Sequence, residues 1–424
     1  MDEITLFDWQ KQGAVALVNS LVKNNVALDA SDTGTGKTAK AVWIAKTMSA
    51  DVIVVCPKAV IPSWKEWLEI GGVKGDVINY EKLKTGKTKL GQWNSAGSWE
   101  WTFSGVKLLI FDEVHKCKNP TSINAKILTG SKKYPTLMLS ATAAENPLDM
   151  RAIGFMLGLH DYHDFYRWAH KMGCRKAPWG RGLAFMGGKK MLREIHQKIF
   201  PVVGHRIRIA DLGDAFPSNS VFAECYDMGD VDAIYKKMQK ELDELRGKRS
   251  SENPLTIKLR ARQEAELMRV PIFVELTEQA IQEGNAVVAF FNFRQSLEAY
   301  RKLIGEESAQ IIGDQADDDR VQNICSFQEN KVKVCACMIQ AGGVGLSLHD
   351  LHGVPRISLI APTYSAIDTK QALGRIHRAG AKSPSRQYLL FANGTVETQV
   401  ARSLRRKLHN IETITDGETL GAIL

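Results

Sequence analysis

Residues 31–38 read Ser-Asp-Thr-Gly-Thr-Gly-Lys-Thr. Gly34 and Gly36 leave the backbone free to wrap closely round phosphates, with the N–H groups of the loop, those of Thr33 and Thr35 among them, turned inward. Lys37 is expected to reach the β and γ phosphates. Thr38, opening the next helix, is expected to hold Mg²⁺ through its hydroxyl. Ser31 stands where the strict phosphate-loop pattern wants glycine. The flanks supply the context that the pattern needs: an apolar segment, V-A-L-D-A at 26–30, precedes the loop, and a helical pattern over 39–48 follows it.

Working outward, the second half of such a site should end another strand. Residues 108–111, L-L-I-F, are that strand, and Asp112-Glu113-Val114-His115 follows it. Asp112 can hold Mg²⁺, directly or through water, and Glu113 can accept a proton from an attacking water or orient it. Ligands gather at the C-terminal ends of parallel strands, so both loops should open on one crevice. Further strands are read at 51–56, 106–111 and 136–140, then at 286–291, 332–335, 356–360 and 387–391. Helical stretches separate them, the pattern of parallel sheets with crossovers. The segment 149–200 reads as mostly helical with a glycine-rich break at 179–188. A charged amphipathic helix is expected at 234–245, a polar break at 246–254, and a long helical stretch at 255–282 interrupted by Pro271. The 424 residues therefore divide into two α/β lobes, 1–212 and 213–424, with helical elaborations at about 150–212 and 230–282.

Charge points to a partner. Lys and Arg number 56 against 47 Asp and Glu, a net +9. Residues 165–210 hold eleven basic side chains and a single acidic one, Glu194. Such a window is the footprint of a polyanion partner, with Lys189, Lys190 and Arg193 as candidate contacts and Trp168, Trp179 and Phe185 available for packing or stacking. The seven cysteines are scattered without a C-x-x-C pair, which argues against zinc and against a disulfide framework. Cys335 and Cys337 read as buried strand residues. The start of the chain is acidic, and no apolar run approaches the length of a membrane span, so no membrane partner is expected. The expected location is the cytoplasm of a bacterial or phage-infected cell, or the nucleus if the source is eukaryotic.

The string D-E-V-H at 112–115, trailed by K-C-K-N at 116–119, resembles the superfamily 2 helicases and, more narrowly, the Swi/Snf-related ATPases. The likeness runs in order through most of the chain. Residues 6–10, L-F-D-W-Q, are similar to the adenine-reading segment, with Gln10 on the base edge. Residues 54–57 with Trp64 and Trp67 are similar to the first strand-contact motif, and N-Y-E at 79–81 to the next. S-A-T at 140–142 is similar to the coupling motif, 341–346 to the fifth motif, and 371–380 to the sixth, where the family places two arginine fingers. The Ser-Ala-Thr-Ala wording and Ala381 after the sixth motif depart from the Swi/Snf pattern. The compact chain resembles phage or viral members and, more weakly through 205–208, 216–217 and 260–265, fork-remodelling helicases.

What the resemblance implies is two RecA-like lobes acting on ATP and Mg²⁺. Lys37, Asp112, Glu113, Arg375 and Arg378 would be catalytic. Gln10, the 33–38 loop and Gly345 would bind nucleotide, and Thr38 and Asp112 would bind the metal. Lys58, Trp64, Tyr80, Lys118, Asn119, Asn292, Arg294 and Gln340 would contact DNA. The resulting expectation is a monomeric, ATP-dependent translocase or helicase that remodels forked or branched DNA. Two alternatives remain open: an RNA helicase, and an ATP-switched clamp that recruits a partner. The acidic run Asp317–Asp319 lies in a polar stretch and reads as a solvated turn or helix start rather than a nuclease centre.

Overall fold

Short apolar runs flanked by turn residues become the strands. The structure, a computed structural model, describes residues 4–417 except 106, 120, 178–181, 214–215, 248–252, 306, 343–345, 394 and 396. In the first unit the strands are β1 (Val26–Asp29), β2 (Asp51–Cys56), β3 (Gly75–Asn79), β4 (Lys107–Asp112), β5 (Thr136–Leu139) and β6 (Gly204–His205). They form one sheet in the order β6-β1-β5-β4-β2-β3, and every pair is parallel. Strands β1 and β5 are buried at every position, as strands covered on both faces must be. Two antiparallel hairpins, Gly91–Trp93 with Trp99–Trp101 and Cys174–Lys176 with Leu183–Phe185, were not legible in the sequence. The second lies inside the segment read as mostly helical and accompanies its glycine-rich break.

The second unit repeats the plan. Strands β7 (Asn219–Tyr226), β8 (Ala286–Phe291), β9 (Ala309–Ile311), β10 (Val334–Met338), β11 (Arg356–Ile360) and β12 (Ser385–Ala392) form a parallel sheet in the order β7-β12-β11-β8-β10-β9. Its helices include Gly229–Gly247, Pro254–Met268 and Val270–Gln282. The break in the last pair comes at Arg269 because Pro271, which lacks an N–H, sits in the first turn of the following helix, where none is needed. Asp317–Asp319 open the helix Asp317–Gln328, where three carboxylates complement the helix dipole. Cys335 and Cys337 are buried on one strand face with their sulfurs 3.6 Å apart.

The described residues up to Gly213 form the first unit, and the residues between Asp214 and Arg406 form the second. The sequence reading gave the whole of 213–424 to the second lobe. That is corrected for the end of the last helix, Glu397–Asp416: residues from Lys407 on belong to the first unit, and Ile414 is buried in its core.

Candidate active site

Three neighbouring strands carry the site. Across β1, β5 and β4 the residues Asp29, Leu139 and Asp112 lie in register, so their C-terminal ends are level. From these ends run the 31–38 loop, the Ser140-Ala141-Thr142 segment and the Asp112-Glu113 pair. The crevice expected at the ends of parallel strands is therefore assembled from three separate stretches of sequence.

The loop turns through Gly34 (φ 88°) and Gly36 (φ 74°), a conformation that a side chain opposes. A Cβ on Gly36 would also lie 2.5 Å from Gln10 Nε2. The helix Lys37–Thr47 begins directly after it, so its unpaired N–H groups face the loop. Lys37 Nζ donates to the carbonyls of Ser31 (2.8 Å) and Asp32 (3.0 Å). Burial lowers the Lys37 pKa against the pull of Asp29, Glu113, Asp112 and Asp32. Gln10 is buried, donates to Thr35 O at 2.8 Å and accepts from Phe7 N–H at 3.0 Å, so it braces the loop's outer turn.

The departure at Ser31 has a structural counterpart. Its Oγ accepts from Lys40 Nζ (3.2 Å) and from the Ile207 N–H (3.1 Å), and Lys40 pairs with Asp29 at 2.8 Å. Lys40 and Asp29 are fully buried beneath the loop. A glycine at 31 would leave both donors without this acceptor.

Asp112 receives the indole N–H of Trp64 at 2.9 Å and the N–H of Glu113 at 2.9 Å. Burial and the neighbouring Glu113 carboxylate push its pKa up to about 6. Two carboxylates that resist joint ionisation are a donor set that a divalent cation relieves, so Asp112 beside Glu113 fits Mg²⁺, and the glycine-turned loop with Lys37 fits the phosphates. Glu113 takes a left-handed backbone (φ 52°), uncommon for a non-glycine residue and characteristic of functional turns. His115 Nδ1 lies 3.2 Å from both Glu113 Oε2 and Ser140 Oγ. One imidazole nitrogen thus links the acidic pair to the 140–142 segment, which sequence reasoning had joined to it only by resemblance.

Two expectations are corrected. Trp64 (1% exposed) and Tyr80 (0%) were expected at DNA, yet both are buried behind the acidic pair. Their polar atoms serve Asp112: the Trp64 indole donates to its carboxylate, and the Tyr80 hydroxyl to its carbonyl at 2.8 Å. The other expected contacts scatter. Lys58, Asn119, Lys189, Lys190, Arg193, Arg294 and Gln340 are exposed. Lys118 pairs with Glu145 at 3.3 Å, Arg294 with Glu298 and Asp314, and Arg193 donates to Gly417 O. Asn292 spends both amide hydrogens, on Glu266 Oε2 and Pro362 O. Within the basic window Trp168 is buried in the core, and Arg206 is an inward-facing ion-pair residue. Trp179 and Gly345 lie outside the described residues.

In the second unit Arg375 and Arg378 follow the helix Ala366–Leu373, Arg375 in the turn that ends it and Arg378 in the irregular stretch beyond. Arg375 is 1% exposed and donates to the carbonyls of Gln371 and Leu346. The expectation of paired fingers is corrected: Arg375 is a buried brace that ties the sixth-motif segment to the fifth. Arg378 is half-buried and donates to Ser347 Oγ at 2.8 Å and Gly374 O at 3.1 Å. Among the described residues no cluster of three or more metal-binding side chains occurs, and no helix is long and apolar enough to cross a membrane.

Comparison with known proteins adds the family. A family model described as the helicase conserved C-terminal domain matches residues 269–380. A protein of Acanthamoeba polyphaga mimivirus, which carries the name of an ATP-dependent RNA helicase, is 36% identical over 98% of this chain and 84% of its own length. The ISWI chromatin-remodeling complex ATPase ISW1 of Saccharomyces cerevisiae is 22% identical over 94% of this chain and 40% of its own. A RAD54-like DNA repair and recombination protein of Drosophila erecta is 23% identical, covering 92% of this chain and 60% of that protein. Among solved structures, the Sulfolobus solfataricus SWI2/SNF2 ATPase core in complex with dsDNA aligns with a TM-score of 0.42 and 19% identity, over 98% of this chain and 94% of that one.

Proposed function

Because this chain belongs to the Swi/Snf-related branch of the superfamily 2 helicases, and is thus an ATP-hydrolysing helicase-family enzyme, we propose that it is a DNA translocase that remodels forked or branched DNA. The observation that carries the catalytic half of this reading is the convergence of Lys37, Asp112, Glu113 and Ser140 on the level ends of three adjacent strands. The exposed Lys189 and Lys190, at the start of the helix Lys189–Ile199, support a polyanion partner.

Bound Mg-ATP supplies the transferable phosphoryl group and a divalent charge. The chain's own residues do the rest. The loop amides and Lys37 would hold the phosphates, Thr38 and Asp112 would hold the cation, and Gln10 fixes the turn that adenine would approach. Glu113 takes a proton from the attacking water, with His115 setting its carboxylate. Arg378, half-buried beside Ser347, is the residue that the family resemblance implies would add positive charge to the transition state. An arginine in that role contributes about 10³–10⁵ in rate.

The relatives named for chromatin remodeling and for DNA repair favour DNA. The mimivirus relative's name favours a second reading, an RNA helicase. The two are separated by displacement of a third strand from a DNA triplex and by regression of a model replication fork. The translocase reading expects ATP-dependent displacement and fork regression. Unwinding of tailed RNA duplexes with neither DNA activity would favour the second.

A further inference from the structure

The first half of the phosphate loop is built against residues 204–209. Beyond the β1–β6 pairing, Ala30 N–H donates to His205 O and Asp32 N–H to Ile207 O, each at 2.9 Å. Ile209 N–H donates to Asp32 Oδ2 at 3.1 Å. At the centre of this seam is Arg206, whose side chain is 8% exposed. Its guanidinium donates to Ala30 O (2.6 Å), pairs with Asp32 Oδ1 (3.0 Å) and forks onto both carboxylate oxygens of Asp416. Asp416, 1% exposed, is the last residue of its helix. The helix dipole disfavours a carboxylate at that end, so its placement there requires a cation such as Arg206. Burial opposes the arginine's charge, yet Asp32 and Asp416 outweigh it and hold its pKa above the ordinary value.

Asp32 is a phosphate-loop residue whose carbonyl receives both Lys37 Nζ and Thr35 Oγ1. Its negative charge acts on the same Lys37 ammonium that would meet the phosphates. The geometry points to Arg206 as a positioning residue for the nucleotide: bridged to Asp416, it neutralises Asp32 and fixes the loop, so that the triphosphate meets a preset cradle without a facing carboxylate. The end of the last helix is then a component of the nucleotide site. This inference rests on reading the 31–38 loop as the phosphate site.

The test is a double-mutant cycle on ATP affinity, measured by calorimetry with the full chain. Arg206→Met should weaken ATP binding about tenfold, the size of a coupling between contacting charges. The double variant Asp32→Asn, Arg206→Met should return to within roughly threefold of Asp32→Asn, because the loop then carries no carboxylate to face the phosphates, and the loss at Asp416 is common to both Arg206 variants. A merely structural arginine would cost the same affinity whether residue 32 is Asp or Asn, and that additivity would overturn the inference. If Arg206→Met does not fold, Arg206→Gln carries the same cycle. A Lys37→Ala control separates the two claims. If it loses ATP affinity while the cycle is additive, the inference alone fails. If it binds ATP as wild type does, the loop reading fails and takes the inference with it.

Discussion

Trp64 Nε1 lies 2.9 Å from Asp112 Oδ2, a hydrogen bond across 48 positions that ties the helix Ile61–Gly71 to the end of β4. The indole holds the carboxylate that would meet the metal, so Trp64 acts on catalysis from behind the site. Trp64→Phe keeps a buried ring and removes the donor. A hydrogen bond to a charged group contributes about 1.5–3 kcal/mol, so turnover should fall roughly tenfold or more with DNA affinity unchanged. Steady-state ATPase and an equilibrium DNA titration on one preparation check this. Lost DNA affinity with normal basal turnover would return Trp64 to a strand-contact role.

Lys37 and Glu113 divide binding from chemistry. Lys37→Ala removes the point charge on the phosphates and should abolish both ATP binding and hydrolysis. Glu113→Gln keeps the volume and loses the proton acceptor, so ATP should bind while turnover drops by about 10²–10⁴. Calorimetry and single-turnover hydrolysis measure the two effects separately. Equal loss of binding in both variants would contradict this division of roles.

Reversing charge at Lys189 and Lys190 should weaken DNA binding across sequences. In the counterion-release picture each lost phosphate contact lowers the slope of log affinity against log salt by roughly 0.9 on duplex DNA. Fluorescence anisotropy over a salt series measures the slope. An unchanged slope would make this face a solvated surface.

The Asp29–Lys40 pair predicts a stability effect with a definite pH dependence. Asp29→Asn leaves Lys40 buried without its counter-charge and should cost about 3–5 kcal/mol at neutral pH. Burial raises the Asp29 pKa, but Lys40 and Lys37 outweigh it, so the folded value lies below the ordinary 3.8. The stabilisation is therefore complete above 3.8 and is lost only as pH falls through the lower folded value. Urea unfolding should show a constant wild-type-to-variant gap from neutrality to about pH 5, narrowing only in stronger acid. A gap that closes near pH 6 would contradict the sign.

The parts of the site legible in the sequence are those whose signal is local. The glycines of 31–38 and the Asp112-Glu113 pair each follow a short apolar run, so loop and strand end could be read together. Strands β3, β7 and β9 and the two-residue β6 were missed because they lack such a run; β7 holds only intermediate and exposed residues. Trp64 and Tyr80 were misread because an aromatic beside a nucleic-acid motif suits stacking as well as burial. What decides is Asp112, 48 and 32 positions away. Arg206 was counted as surface charge since its partner Asp416 is 210 residues distant, and no pattern in the chain joins them.

The central claim is that DNA drives ATP turnover in this enzyme. The direct measurement is steady-state ATP hydrolysis at saturating nucleotide with no nucleic acid, single-stranded DNA, duplex DNA, a forked or four-way junction, and RNA in parallel. The account predicts stimulation by DNA, strongest with duplex or branched forms and lost in Arg378→Ala. Stimulation by RNA alone would contradict it.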